Sequence, residues 1–277
     1  MINANLTTAY RFLRYYFSAS TVFDLQSPMA YAFAREVLED RRTFYVFSEA
    51  ESLRQQWLRD RGSIRVSDFG AGSLTLQGKE RVISDLAKRV ATPPLFCRWL
   101  FHIARFGQPA TMLELGTSLG VSAIYQSAAA PHAKFITLEG CPETAGLARR
   151  SFQQLHCEAE LQVGRFDALL PSALDQLGQL DHLYLDGDHS LEGTLKYLEQ
   201  CRPHSHPGTV WVIGDIHWSD GMERAWERVK AMPEVKMTID LFGMGVVLFR
   251  QEIPVPVHFV LAPSLWKPWH LGRWGGL

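Results

Sequence analysis

The fold turns on one stretch, Met112-Leu113-Glu114-Leu115-Gly116-Thr117-Ser118-Leu119-Gly120-Val121-Ser122. A short apolar run stops at a glycine-rich turn, and helical apolar spacing follows over 118–129. That order reads as strand, tight turn, helix. Outward from it the same unit recurs. Candidate strands lie at 111–115, 134–138, 160–163, 182–185, 209–213, 235–239 and 245–249. Candidate helices lie at 118–129, 142–156, 171–177, 190–201 and 221–232. Strands alternating with helices predict a parallel sheet covered on both faces. The last two strands are joined by the short turn 241–244, too short for a parallel crossover. They should close the sheet as an antiparallel hairpin.

On either side of this α/β region, 109–250, the texture changes. Residues 1–108 read as a helical addition. Ser27-Pro28 has the form of an N-cap followed by proline in the first turn, and 77–90 and 94–106 carry helical apolar spacing. Between them, Asp68-Phe69-Gly70-Ala71-Gly72-Ser73 is a glycine-rich turn, read as a plain turn or as a lid segment over a pocket. Its Asp-Phe-Gly triplet has no kinase catalytic-loop or phosphate-binding motif beside it. The tail, 251–277, shows no period but holds Pro254, Pro256, Pro263, Pro268, Trp266, Trp269 and Trp274. So aromatic a segment should pack on the body or on a second subunit, the latter making a homodimer.

Composition narrows the function. Of 277 residues, 47% are apolar and 21% charged, and 28 Lys+Arg against 29 Asp+Glu leave a net charge of -1. A protein built to ride on phosphate backbones usually carries a basic excess, so nucleic acid is disfavoured as the main partner. Cys97, Cys141, Cys157 and Cys201 form no CxxC pair or zinc-ligand spacing and read as free thiols. No apolar run has membrane-span length, and the start, Met1-Ile2-Asn3-Ala4-Asn5, lacks signal-peptide character. A cytoplasmic protein is expected.

Chemistry should gather at the carboxyl ends of the strands. There the sequence places Glu114, Glu139, Asp186 and Asp215, four acids along one rim. The first turn, Gly116-Thr117-Ser118-Leu119-Gly120, is not GxGxxG, so the dinucleotide fingerprint fails. Glu139 ends the second strand, where an acid accepts hydrogen bonds from ribose hydroxyls in nucleotide-binding sheets. A ligand with a ribose, an ammonium group and a positive centre, but no phosphate, fits the pattern. S-adenosylmethionine has all three.

Three segments, Met112–Ser122, Ile136-Thr137-Leu138-Glu139-Gly140 and Tyr184-Leu185-Asp186-Gly187-Asp188-His189-Ser190, carry a family resemblance. The region resembles class I S-adenosylmethionine-dependent methyltransferases, closest to the catechol O-methyltransferase-like branch. The resemblance implies a Rossmann-like, seven-stranded, mostly parallel sheet with the C-terminal hairpin. It also implies roles. Glu114 would anchor the glycine loop near the methionine ammonium; Gly116 and Gly120 would admit the cofactor, flanked by Thr117 and Ser118. Ser122 would meet the cofactor carboxylate, and Glu139 beside Gly140 would hold the ribose. The segment Gly164-Arg165-Phe166-Asp167 resembles the adenine loop, although Asp167 reads equally as a helix N-cap. His189 stands where catechol-type enzymes place a lysine, three residues after the strand-four acid Asp186. Imidazole changes charge near neutrality, so this side chain could deprotonate an acceptor hydroxyl, or merely cap the following helix.

Metal-dependent relatives carry an Asp-Asn pair after strand five, where this chain has Gly214-Asp215. Asp186 and Asp215 would be the oxygen ligands of any magnesium, with His217 available to join them, but the usual set is incomplete. Transfer is therefore expected to need His189 rather than a metal, and Asp215, His217 and Trp218 are read as a substrate wall. The expected function is O-methylation of a small hydroxylated molecule. The rivals are a non-catalytic cofactor-binding regulatory protein and an N- or RNA-methyltransferase.

Overall fold

The computed structural model describes residues 2–66 and 79–267; the turn at 68–73 and the last two tail tryptophans lie outside them. Helices α1 (Ile2–Ser18), α2 (Pro28–Phe33, continued by a π turn Ala34–Leu38) and α3 (Tyr45–Arg59) come first. A small hairpin of β1 (Ser63–Val66) and β2 (Lys79–Val82) follows, then α4 (Ile83–Val90) and α5 (Pro94–Gly107). At the start of α2, the Ser27 hydroxyl accepts from the Ala30 amide and Pro28 occupies the first turn, as the sequence predicts. The helix expected over 77–90 begins only at Ile83. Residues 79–82 before it pair with β1, a partner that helical spacing cannot register.

The sheet strands are β3 (Thr111–Leu115), β4 (Lys134–Glu139), β5 (Glu160–Val163), β6 (Leu180–Leu185), β7 (Ser205–Gly214), β8 (Met237–Asp240), β9 (Met244–Leu248) and β10 (Val257–Val260). Their spatial order is β10-β8-β9-β7-β6-β3-β4-β5. All seven expected strands form, and β9 closes antiparallel between β7 and β8. The sheet nevertheless has eight strands, because the tail returns and β10 pairs parallel with β8. A lone β8 edge would leave a row of unpaired backbone groups; β10 covers it. The described tail residues that follow β10, 261–267, pack on the body. Tyr15 donates to the Leu261 carbonyl at 2.5 Å, and Trp266 lies against Phe12 and Trp99.

Alternation explains how both faces are buried. On β3, Leu113 and Leu115 face α8 (Phe166–Leu177), α9 (Leu191–Cys201) and α10 (Asp220–Lys230), in a core that includes Trp211 and Trp226. Met112 faces the other way, into a core with α6 (Val121–Ala129) and α7 (Pro142–Gln154). Phe47, Leu53 and Trp57 of α3 and Phe101 of α5 belong to that same core. Residues of α2 and α5 pack with β7, β8 and β9 in a third. The N-terminal helices thus share their apolar contacts with the sheet. Each large side chain so buried contributes roughly 1.5–3 kcal/mol over its exposed state. Among the described residues no helix is long and apolar enough to cross a membrane.

His204 ends the 3-10 turn Arg202–His204, and His206 sits at the start of β7. There His206 Nε2 lies 2.7 Å from Asp181 Oδ1.

Candidate active site

The strand order reverses beside β3: β4 and β5 extend to one side, β6 and β7 to the other. At the carboxyl ends of these strands lies a cavity of about 810 Å³. The glycine turn forms one wall. Gly116 has φ +105° and Ser118 φ +51°, and Gly120 follows at φ +81°. A Cβ on Gly116 would stand 2.7 Å from the Asp186 carbonyl oxygen, so only glycine lets the ends of β3 and β6 approach here. Gly120 does not reach the cavity wall. It is needed for packing, since a Cβ there would stand 2.7 Å from the Phe152 ring.

Glu139 lines the cavity, and each carboxylate oxygen accepts a backbone amide at 2.8 Å, from Ser118 and from Cys141. A carboxylate offers about four acceptor positions, so two ribose hydroxyls can be accepted alongside these amides. Glu114 departs from expectation. It is wholly buried beneath the turn and absent from the cavity wall, where Thr117, Ser118, Ser122 and Gly140 do appear. Its carboxyl accepts from Thr137 at 2.6 Å, Ser122 at 2.7 Å and Gln126 at 3.0 Å. Burial raises its pKa to about 7 against those three donors. The reason is strand parity: Glu114 points to the opposite face from Leu113 and Leu115, under the α6 helix.

At the other end of the cavity Asp186, His189 and Asp215 converge. One ligand atom from each lies within 4.8 Å of the others, and His189 Nε2 is 3.8 Å from Asp215 Oδ2. Burial lifts Asp186 to about 6; the negative charge of Asp215 adds to this, and His189, Tyr184 and Thr92 oppose it. Partial burial likewise raises Asp215, with His189 acting the other way. Gly214 gains a physical meaning here. A Cβ at that position would stand 2.2 Å from Asp186 Oδ1, so the Asp186 carboxylate occupies the space a side chain would fill.

His217 does not join this cluster. Its Nδ1 lies 2.9 Å from Glu223 Oε1 and its Nε2 2.7 Å from Asp240 Oδ2, while its ring stacks on Phe242. Burial works against charge on this imidazole, yet the two carboxylates, Asp240 foremost, raise its pKa. A neutral imidazole has one N–H, so donating to both acids requires the protonated form. Reading His217 as a metal ligand or substrate wall is therefore corrected. Its neighbour Trp218 does line the cavity and is 66% exposed.

In the adenine-like segment, Phe166 and Asp167 both line the cavity. The Phe166 ring lies over Gly187, where a Cβ would meet it at 2.6 Å. Asp167 is not the N-cap. The helix starts at Phe166, and the Asp167 carboxylate pairs with Lys196 at 2.5 Å, which holds its pKa below the usual carboxylate range. The helices before Pro109, expected to cover the acceptor side, do reach the cavity. Leu86, Arg89, Thr92, Pro93 and Phe96 also line the cavity, and Thr92 Oγ1 lies 3.5 Å from Asp186 Oδ2. The helix over 94–106 was legible from its apolar spacing; the contact of Thr92 with Asp186 was not, because no local pattern contains it.

A parallel sheet closed by an antiparallel hairpin, a glycine turn and a strand-two acid at one cavity, and no dinucleotide fingerprint together define a class I methyltransferase fold. Comparison with known proteins agrees. Residues 113–216 match the family described as a methyltransferase domain. A catechol O-methyltransferase of Niastella koreensis is 27% identical over 131 residues, covering 46% of this chain and 58% of that protein. O-methyltransferase hkm8 of Aspergillus hancockii is 32% identical over 145 residues, covering 50% and 56%. The chain thus spans somewhat more than half the length of these curated relatives. The S-adenosylhomocysteine-bound methyltransferase PaMTH1 of Podospora anserina shares the fold at 13% identity, with a TM-score of 0.57 over 82% of this chain and 97% of that one. Over residues 113–216 the chain is therefore similar to methyltransferase domains, and it shares their fold.

Proposed function

We propose that this protein transfers the methyl group of S-adenosylmethionine to a hydroxyl oxygen of a small molecule. The observation that carries this reading is one continuous cavity, bounded by Glu139 at one end and by Asp186, His189 and Asp215 at the other. The residues fit the cofactor: the cradle at Gly116 excludes any side chain, and the Glu139 carboxylate is held by two amides in a pose suited to a ribose diol. When bound, S-adenosylmethionine supplies an electrophilic methyl on a positively charged sulfur and leaves as S-adenosylhomocysteine. The protein's task is to align the acceptor oxygen behind that methyl and to remove the acceptor proton. His189 takes the proton, with its Nε2 3.8 Å from Asp215 Oδ2. Phe96 and Trp218 offer aromatic walls on the acceptor side.

Calorimetry on Glu139→Ala tests the cofactor half. Ribose hydroxyls left without their acceptor cost about 1–3 kcal/mol, so S-adenosylhomocysteine should bind several-fold or more weakly while the fold persists. Unchanged affinity would remove Glu139 from the site.

The acceptor half is tested by His189→Ala. Loss of a general base lowers rate by about 100-fold or more, and transfer to a catechol or phenol panel should fall accordingly. Activity should rise with pH through about 6 as Asp186, raised by burial, loses its proton. The Asp186–His189–Asp215 grouping also favours a second reading. Two carboxylates and an imidazole suit a divalent cation, which would lower the pKa of the acceptor hydroxyl. Transfer that survives EDTA supports His189 as the base; complete loss restored by added magnesium or manganese supports the metal. Saturable S-adenosylhomocysteine binding without turnover on any acceptor would point instead to a regulatory binding protein.

A further inference from the structure

The acceptor wall is a short segment. After β7 the chain runs Asp215-Ile216-His217-Trp218-Ser219 and enters α10, and Asp215, Trp218 and Ser219 line the cavity. Asp215 adopts φ +54°, an uncommon conformation for a non-glycine residue that needs its surroundings to hold it. Within the segment, the Asp215 amide donates to the Gly243 carbonyl at 2.8 Å, and Trp218 donates back to Asp215 at 2.9 Å. The carbonyls of His217 and Trp218 are met from far away in the chain. Arg11 Nη1, on α1, lies 3.4 Å from the first and 3.3 Å from the second.

Arg11 is well anchored for this. Its side chain is 8% exposed; Nη2 pairs with Asp220 and Nε lies 3.3 Å from Glu223 Oε2. Glu223 also pairs with Arg14 and with His217 Nδ1. The far side of the His217 ring is fixed by Asp240 and stacked on Phe242, which packs against Phe12 and Tyr15 of α1. One helix face therefore holds the wall by its carbonyls, by the first turn of α10 and by the tip of the β8–β9 hairpin. Turning His217 outward into this network leaves Asp215 and Trp218 directed to the cavity.

We propose that Arg11 is a positioning residue for acceptor binding: α1, outside the matched methyltransferase segment, sets the wall formed by Asp215 and Trp218. The proposal rests on the methyltransferase reading for its kinetic consequence, but not for its structural one. A guanidinium is needed because its planar fork reaches two carbonyls and two carboxylates at once, whereas an ammonium is a single compact charge. No Arg11 atom is part of the cavity lining, so cofactor binding should be insensitive to it.

The test uses the full-length protein, Arg11→Ala and Arg11→Lys. Hydrogen exchange read by mass spectrometry should quicken at least fivefold in peptides covering 215–219 of Arg11→Ala, with β3 and β4 peptides unchanged. S-adenosylhomocysteine affinity should stay within twofold. With catechol as the acceptor probe, KM for the acceptor should rise about tenfold while KM for S-adenosylmethionine is kept, and Arg11→Lys should fall between parent and alanine variant. Unchanged exchange at 215–219, or an equal loss of cofactor affinity, overturns the proposal. Absence of turnover in the parent protein counts against the methyltransferase reading alone, because the exchange measurement still decides the role of Arg11. Should Arg11→Ala fail to fold, the same exchange comparison on Arg11→Lys decides it.

Discussion

A Gly116→Ala protein should unfold at a temperature roughly 5–10 °C below the parent and lose most of its affinity for S-adenosylhomocysteine. Alanine at φ +105° is strained, and its Cβ would stand 2.7 Å from the carbonyl oxygen and 2.9 Å from the carbonyl carbon of Asp186. Both are backbone atoms at the end of β6, so no side-chain rotation relieves the contact. Backbone strain of this kind costs about 1–3 kcal/mol, and each kcal/mol lowers Tm by about 2–4 °C in a protein near this size. Separating the ends of β3 and β6 also moves the Ser118 amide, which helps to hold Glu139. Thermal unfolding followed by circular dichroism and calorimetric titration read the two effects. Parent-like values in both would mean that the close approach at Gly116 is not needed.

Gly214→Ala should behave differently: the protein folds and binds cofactor, yet transfer falls by about 100-fold. The new Cβ would stand 2.2 Å from Asp186 Oδ1 and 3.1 Å from Cγ, which are movable side-chain atoms. Asp186 would yield by turning away from Thr92, Tyr184 and its neighbours His189 and Asp215. A displacement of about 1 Å at a reacting centre can cost 10²-fold in rate. The measurement is kcat beside S-adenosylhomocysteine affinity in the same preparation. Parent-like kcat would show that transfer does not depend on the Asp186 carboxylate standing where it does. The two glycines thus separate cleanly, one guarding backbone against backbone and the other leaving room for a carboxylate.

Much of the sheet was legible because its signals are local. The run Thr111–Leu115 ends at Gly116 and the run Lys134–Glu139 at Gly140; a strand's apolar content and the glycine that stops it lie within a few residues of each other. The hairpin of β8 and β9 was legible from the brevity of its turn. Strand β10 was not, since Val257-His258-Phe259-Val260 is four residues amid prolines, and its parallel pairing with β8 is a contact made after a long return of the chain. The N-terminal helices were expected as an addition, while their shared core with the sheet came from the packing of Phe47, Leu53 and Trp57 against β3 and α6.

At the site, the sequence placed Glu114, Glu139, Asp186 and Asp215 along one rim, because each stands at a strand end in a parallel sheet, and the last three do line the cavity. Which way a side chain then turns depends on partners that no local pattern contains. Glu114 points beneath the turn because strand parity places it under Ser122 and Gln126. His217 turns from the cavity because Glu223 and Asp240 accept from its two nitrogens, and Arg11 reaches the same segment from the other end of the chain. Gly214 reads as a missing ligand in sequence and as the space for Asp186 in three dimensions. Strand ends are set by short-range periodicity and turn residues, so the sequence carries them. Side-chain direction is set by which distant charges and rings pack alongside, and only the tertiary structure brings those together.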